Sequence, residues 1–302
     1  MTNDEGNWRS FLDTGLDWKK AAFSPEEKLT LLNWYRENHE QNETSHLSKF
    51  PAFMIEHDPS GFKGYRRYMI EIDRPRDGVS LPQAAHLLMF TYSYIALANE
   101  KGTLYVIVNA RKLGASRGEV IDTIKLAALA GGPLGMNAAA ELTDSYLREW
   151  PENSDERGLA WPEGWSANPD ALRSGIDLET NTLTASELDS LKAWYRRIHG
   201  AVPSHVEALA RLHPTALKTQ RIRLERALGP TLPAQMVPLL MLQLAALRLW
   251  PKPMLRAAQL AKALGVRRHH IVETLFWAGT YADEMVMETA FDTLGDLIQG
   301  WE

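Results

Sequence analysis

The amino-acid sequence predicts an all-α protein built from two tandem copies of one helical unit. Three observations lead to this prediction: an ordered internal repeat, capping signals at helix starts, and a scarcity of period-two alternation. Alternation of apolar and polar residues is the pattern of a half-buried strand, so its scarcity leaves few candidate strands. We therefore expect helices throughout and little or no sheet.

The internal repeat keeps the same order over more than 100 residues, which favours a duplication. Gly15 and Gly175 stand 160 residues apart, and Leu81-Pro82 is matched by Leu232-Pro233 at a spacing of 151. Further matches are Trp34-Tyr35-Arg36 with Trp194-Tyr195-Arg196, His39 with His199, His46 with His205, His57 with His213, Leu113-Gly114 with Leu264-Gly265, and Val120-Ile121-Asp122-Thr123 with Ile271-Val272-Glu273-Thr274.

The segment between the two copies has the composition of a linker, since proline and glycine recur between residues 151 and 174. Trp161 and Trp165 predict that this linker packs on a domain, because exposed indole rings are unfavourable in water. The predicted organisation is a first unit at 1–150, which includes an N-terminal extension, a linker at 151–174, and a second unit at 175–302.

Capping signals locate several helices in each copy. Ser24-x-x-Glu27 and Thr184-x-x-Glu187 are capping boxes, in which each side chain satisfies a backbone N–H at a helix start. Long apolar helices are predicted at about 82–99 and 233–249, each opened by a proline that suits the first turn.

Composition excludes several classes of function. A formal net charge of -5 gives no basic surface for nucleic acid. No uninterrupted run of about 18 apolar residues is present, so no membrane span is expected. The absence of cysteine excludes disulfides, thiolate metal sites and thiol nucleophiles. With a first segment that lacks the features of a signal peptide, this composition predicts a cytoplasmic protein.

The order of short motifs resembles the carboxymuconolactone decarboxylase and alkylhydroperoxidase D-like family. The resemblance rests on His57-Asp58-Pro59, Leu81-Pro82, Gly114 and Gly131-Gly132-Pro133, and the second copy repeats the first three elements but lacks the last proline. It covers nearly the whole chain as two tandem units. It implies helical units that associate into homo-oligomers and bind a small-molecule substrate.

The positions that carry the peroxidase chemistry of this family are all replaced in this chain. Counted back from Gly114 and Gly265, the family's glutamate, two cysteines and histidine fall on Leu87, Asn99, Gly102 and Val106, and on Pro238, Trp250, Pro253 and Ala257. Because thiol-based peroxide reduction needs a thiolate, that activity is excluded.

Candidate catalytic residues lie on two helices of the first copy. His86, Phe90 and Tyr94 share one stripe at four-residue spacing. With a pKa near neutrality, His86 would serve as a general acid or base. Tyr94, Tyr105 and Asn109 would position the substrate or donate to an oxyanion. The alternative for all four residues is a core or interface role with satisfied hydrogen bonds.

Candidate substrate-binding residues are Arg66, Arg67 and Tyr92, since arginine binds carboxylates in a bidentate manner. The alternative for the two arginines is a solvated helix face or a subunit contact. His39, His46 and His57 are spaced unlike any metal motif, so no metal is predicted.

The resemblance and these candidates together predict a cofactor-independent enzyme. It would act by proton transfer on a small cyclic or carbonyl-bearing organic acid, and the outcome would be decarboxylation, ring opening or isomerisation. The site is expected in the first unit, with the second as scaffold. The competing hypothesis is a non-catalytic ligand-binding or assembly protein that has lost the family's active site.

Overall fold

The structure is a computed structural model that describes residues 15–35, 37, 49–73, 80–151 and 158–301. These ranges contain twelve α-helices, one short 3₁₀ helix (Pro169–Leu172) and no strand, which confirms the predicted all-α class. The α-helices are α1 Pro25–Tyr35, α2 Lys49–His57, α3 Pro59–Asp73, α4 Gln83–Ala96, α5 Glu100–Lys112, α6 Arg117–Glu149, α7 Ala185–His199, α8 Ser204–Leu212, α9 Pro214–Ala227, α10 Met236–Leu247, α11 Pro251–Ala263 and α12 Arg268–Gln299.

Two apolar helices, α4 and α10, pack against each other at the centre of the molecule. Helices α5 and α6 cover α4, and α11 and α12 cover α10. Helix α3 of the first half packs on α12, the last helix of the second half, and helix α9 of the second half packs on α6, the last helix of the first. A single core cluster therefore includes buried residues from both halves. The predicted unit boundaries at 150 and 175 stay predictions.

Two carboxylates tie the halves together in a reciprocal way. Asp122 on α6 accepts hydrogen bonds from the backbone N–H of Thr231 (2.9 Å) and of Leu232 (3.3 Å), just before α10. Glu273 on α12 accepts from the backbone N–H of Leu81 (3.2 Å), just before α4. Each acid satisfies backbone N–H groups in the segment that leads into the opposite central helix.

Unusual backbone conformations recur at the spacing of the sequence repeat. Ala98 and Leu249, 151 residues apart, both have positive φ (54° and 52°), as do Gly132 and Asp283 (57° and 47°), which mark kinks in α6 and α12. Positive φ is uncommon for residues other than glycine. The recurrence agrees with the predicted duplication, and duplication as the origin of the two halves stays a prediction.

Both predicted capping boxes are present, at Ser24 with Glu27 and at Thr184 with Glu187. The predicted packing of the linker is confirmed as well. The Nε1–H of Trp161 donates to the buried carboxylate of Glu119 (2.7 Å), and the Trp161 ring stacks on Trp165 (6.0 Å between centroids). Within the described ranges, every helix is too short or too polar to cross a membrane.

Candidate functional site

The predicted stripe on α4 forms one side of an aromatic cluster whose other side comes from α12. His86 lies flat on Trp277, with ring centroids 4.0 Å apart and an interplanar angle of 7°. One turn further along, Phe90 contacts Tyr281 (4.6 Å between centroids), and the hydroxyl groups of Tyr94 and Tyr281 are hydrogen-bonded. The stripe thus packs against rings that lie nearly 200 residues away in the chain.

A second group of rings surrounds the guanidinium of Arg66 on α3. Its Cζ atom lies 5.2 Å from the centroid of Phe62, 5.3 Å from that of Tyr35 and 5.6 Å from that of Tyr65. The side chain also hydrogen-bonds the hydroxyl of Tyr35 and the sulfur of Met69 (3.7 Å from Nη1). At these distances the negative faces of the rings stabilise the positive charge.

The two groups lie within electrostatic range of each other. The Arg66 guanidinium interacts with Tyr281 as well as with Tyr35, Tyr65 and Tyr105. Tyr94 interacts in turn with Tyr65 and Tyr105. Five phenol groups, carried by α1, α3, α4, α5 and α12, therefore lie within electrostatic range of the guanidinium or of one another. We call these six side chains the arginine–tyrosine cluster.

Four tyrosines of this cluster are hydrogen-bond donors at neutral pH. Burial raises the pKa of Tyr35, Tyr94, Tyr105 and Tyr281 above the usual value of 10. Each phenol therefore keeps its proton, so it can donate to an oxyanion and cannot serve as a base. Tyr94 is 7% exposed, whereas Tyr281 is 48% exposed as a whole residue while its hydroxyl is desolvated beside that of Tyr94. The cluster therefore meets solvent on the α12 side.

The expectation of a pKa near neutrality for His86 is wrong. Burial beside the rings of Trp277 and Phe90 lowers the pKa of His86 to about 3. An apolar environment disfavours the imidazolium ion, and no carboxylate of the described residues offsets this effect. The imidazole is therefore neutral and a weak base at physiological pH.

This low pKa predicts a stability that depends on pH. Between pH 6.5 and about 3 the unfolded chain protonates His86 and the folded chain does not, so the free energy of unfolding falls as pH drops through this range. We expect wild type to lose more stability between pH 7 and pH 4.5 than His86→Gln, as measured by urea unfolding. Equal losses would show that His86 titrates normally in the folded protein.

Of the remaining candidates, only some belong to the cluster. Tyr105 does, but Asn109 donates its Nδ2–H to the backbone carbonyl of Tyr105 one turn earlier (2.9 Å), which uses an amide proton expected for an oxyanion. Arg67 is exposed, whereas its neighbour Arg66 is partly buried. Tyr92 is buried, and burial raises its pKa to about 12. It lies two residues before Tyr94 on α4, a separation of about 200° around the helix axis, so it does not share the face that carries Tyr94.

Trp277 and Tyr281 were missed by the sequence analysis, which expected the site in the first half alone. Their signal is a pair of aromatic residues four apart on one helix, a spacing that places both rings on one face. Helix α12 reaches the cluster because it packs on α3, which carries Arg66.

The histidines considered as metal ligands divide between described and masked parts of the chain. His39 and His46 lie outside the described residues, and His57 is exposed at the end of α2 with its ring 4.5 Å from that of Phe53. Within the described ranges, no group of three histidine or acidic side chains is arranged to hold a metal ion.

Comparison with protein families, with curated proteins and with solved structures found no match in any of the three.

Proposed function

We propose that the protein binds a small organic anion at the arginine–tyrosine cluster. The observation that carries this proposal is the guanidinium of Arg66, held over the rings of Tyr35 and Tyr65. The hydroxyl of Tyr35 keeps its proton because burial raises its pKa. Guanidinium binds a carboxylate with two parallel hydrogen bonds, and neighbouring phenols supply further donors to its oxygens. A cationic and donor-rich site of this kind suits an anion and disfavours a cation.

The matching arginine of the second half shows what sets Arg66 apart. Pro59 and Lys63 match Pro214 and Lys218 at a spacing of 155, which pairs Arg66 with Arg221. The Nε of Arg221 forms a buried ion pair with Glu225, one turn later (2.6 Å). Ile70 stands at that position in α3, so the ion pair within α9 has no counterpart at the same spacing there.

The aromatic rings indicate the class of anion. Tyr281 is open to solvent, and behind it its ring contacts the buried Phe90 and its hydroxyl is hydrogen-bonded to that of Tyr94. Flat rings stack favourably on aromatic side chains. We therefore propose a small cyclic or aromatic acid, with its carboxylate at Arg66 and a carbonyl oxygen near the tyrosine pair.

Catalysis on this ligand is a further proposal. Tyr281 would stabilise a developing oxyanion by donating a hydrogen bond, the contribution expected in decarboxylation, ring opening or isomerisation. Tyr94, whose hydroxyl donates to that of Tyr281, would hold this donor in place. His86 is a weak base at neutral pH, an observation that favours the competing non-catalytic hypothesis. Membership of the carboxymuconolactone decarboxylase-like family likewise stays a proposal.

Self-association and a cytoplasmic location also stay proposals. Leu134 and Met285, which follow the kinks of α6 and α12 by two residues each, are 78% and 58% exposed. Apolar side chains exposed at two equivalent places support a homo-oligomer that covers them.

Calorimetric titration with benzoate, pyruvate and a small lactone tests the binding proposal. We expect at least one of the two acids to bind wild type and its affinity to fall about 10- to 100-fold in Arg66→Gln, since a charge-assisted hydrogen bond contributes roughly 1.5–3 kcal/mol. Arg67→Gln removes the same charge from the exposed neighbour and serves as the matched control. No binding to wild type, or equal losses in both variants, would contradict the proposal.

The same compounds distinguish an enzyme from a binding protein. Incubation with wild type, followed by NMR of the small molecules, should reveal new signals if the cluster is catalytic. Tyr281→Phe removes one hydroxyl of the tyrosine pair and should then slow the reaction. Binding that leaves every compound unchanged would support the non-catalytic hypothesis.

A further inference from the structure

A second polar cluster lies in the other half of the molecule, where α7 ends and α8 begins. The ring of Tyr195 stacks on His199 (5.9 Å between centroids) and meets His205 edge-on (6.4 Å). His199 is partly buried and His205 is exposed, so the cluster is open to solvent on one side. The proposed function described above does not use these residues.

Helix α11 contributes an arginine and a glutamine to this cluster. The Nδ1 atom of His199 lies 3.3 Å from Oε1 of Gln259, and Arg256 stands three residues before Gln259 on the same helix face. Arg256 is partly buried and forms no hydrogen bond or ion pair with any described residue. It occupies the place of Tyr105 in the sequence repeat, at a spacing of 151.

The charges around the two histidines are positive or already neutralised. Partial desolvation of the two rings lowers the pKa of both histidines, and the positive charge of Arg256 lowers it further. The charge of Arg221 has the same effect on His199. Arg221 is paired with Glu225, and Glu207, two residues after His205, is paired with Lys192 on α7 (2.9 Å). The neighbouring Arg196, in the last turn of α7, adds a further positive charge.

We propose that His199, His205 and Arg256 form a second binding site, which takes a small oxyanion such as a phosphate or a carboxylate. Oε1 of Gln259 can only accept, so Nδ1 of His199 carries the proton and Nε2 carries a lone pair in the neutral ring. Nε2 must gain a proton before it can donate to an anion. Binding at this site therefore takes up protons, and it strengthens as pH falls.

Histidine NMR titrations of the full chain, recorded with and without 20 mM inorganic phosphate, test this proposal; a parallel series uses 20 mM acetate. We expect phosphate, acetate or both to raise the pKa of His199 and His205 by about one unit or more, as an adjacent opposite charge does. A response to phosphate alone identifies a phosphate site, and a response to acetate identifies a carboxylate site. The exposed His57, outside the cluster, should show no response.

Variants assign the response to the proposed residues. Arg256→Gln should abolish the anion-induced shift, and His205→Gln, at an exposed position, should weaken phosphate binding without loss of the fold. Arg211→Gln removes an exposed arginine six residues after His205 and should leave the shift intact. No shift with either anion, or a shift that survives in Arg256→Gln, overturns the proposal. Arg66→Gln should not affect this site, so failure here is separable from failure of the first.

Discussion

Replacement of Glu225 by alanine is expected to lower the free energy of unfolding by about 3–5 kcal/mol, the usual cost of leaving a buried charge without its partner. The Glu225 side chain is 1% exposed and that of Arg221 is 4% exposed, with 2.6 Å between Nε and Oε1. Glu225 also accepts from the backbone N–H of Ser174 (2.9 Å). Its loss would leave a buried guanidinium without its counter-charge and a buried N–H without its acceptor.

Glu179→Ala provides the matched control. Glu179 forms an ion pair at the surface with Arg226, which lies on α9, the helix that carries Arg221 and Glu225. The two side chains are 83% and 55% exposed and lie 3.2 Å apart. An exposed pair contributes about 0–1 kcal/mol, so this variant should unfold in urea almost as wild type does. Similar losses in the two variants would mean that burial does not govern the strength of the Glu225 pair.

Gly135→Ala is expected to destabilise the protein by about 3 kcal/mol, the upper part of the range for overpacked cores. A Cβ atom at this position would overlap the carbonyl oxygen of Ile95 on α4, and one at Gly131 would lie 2.8 Å from the same oxygen. Both contacts are with backbone, which cannot rotate away as a side chain can. Helix α6 would have to move off α4.

Gly295→Ala tests whether the effect comes from this close approach and not from the loss of a glycine. Gly295 also lies inside a helix, α12, and a Cβ atom there would meet nothing within 4 Å. Alanine should therefore stabilise this variant by about 0.5–1 kcal/mol, through its higher helix propensity. Destabilisation of both variants to the same extent would contradict the close-packing explanation of Gly135.

The Gly135 contact also bears on the candidate site, since Ile95 directly follows Tyr94. A shift of α4 away from α6 would displace the Tyr94 hydroxyl relative to Tyr281, its partner on α12. We therefore expect Gly135→Ala to weaken binding of the anion that wild type binds, although the atoms nearest to the added Cβ all belong to Ile95, which is outside the arginine–tyrosine cluster.

Local patterns in the sequence determined which residues form helices and which of them share a face. The capping boxes at Ser24 and Thr184 and the stripe of His86, Phe90 and Tyr94 depend only on neighbours within a few residues. Helical periodicity governs such short spacings, so the chain alone specifies them. The all-α class was predictable for the same reason.

The tertiary structure alone decided what those faces meet. Periodicity does not say that α12 brings Trp277 and Tyr281 to the stripe on α4, because that contact depends on how helices distant in sequence pack. It also does not separate the partly buried Arg66 from the exposed Arg67, which are neighbours in the chain. Nor does it give His86 its low pKa, since desolvation is produced by every element packed around a group, and only the assembled fold contains them all.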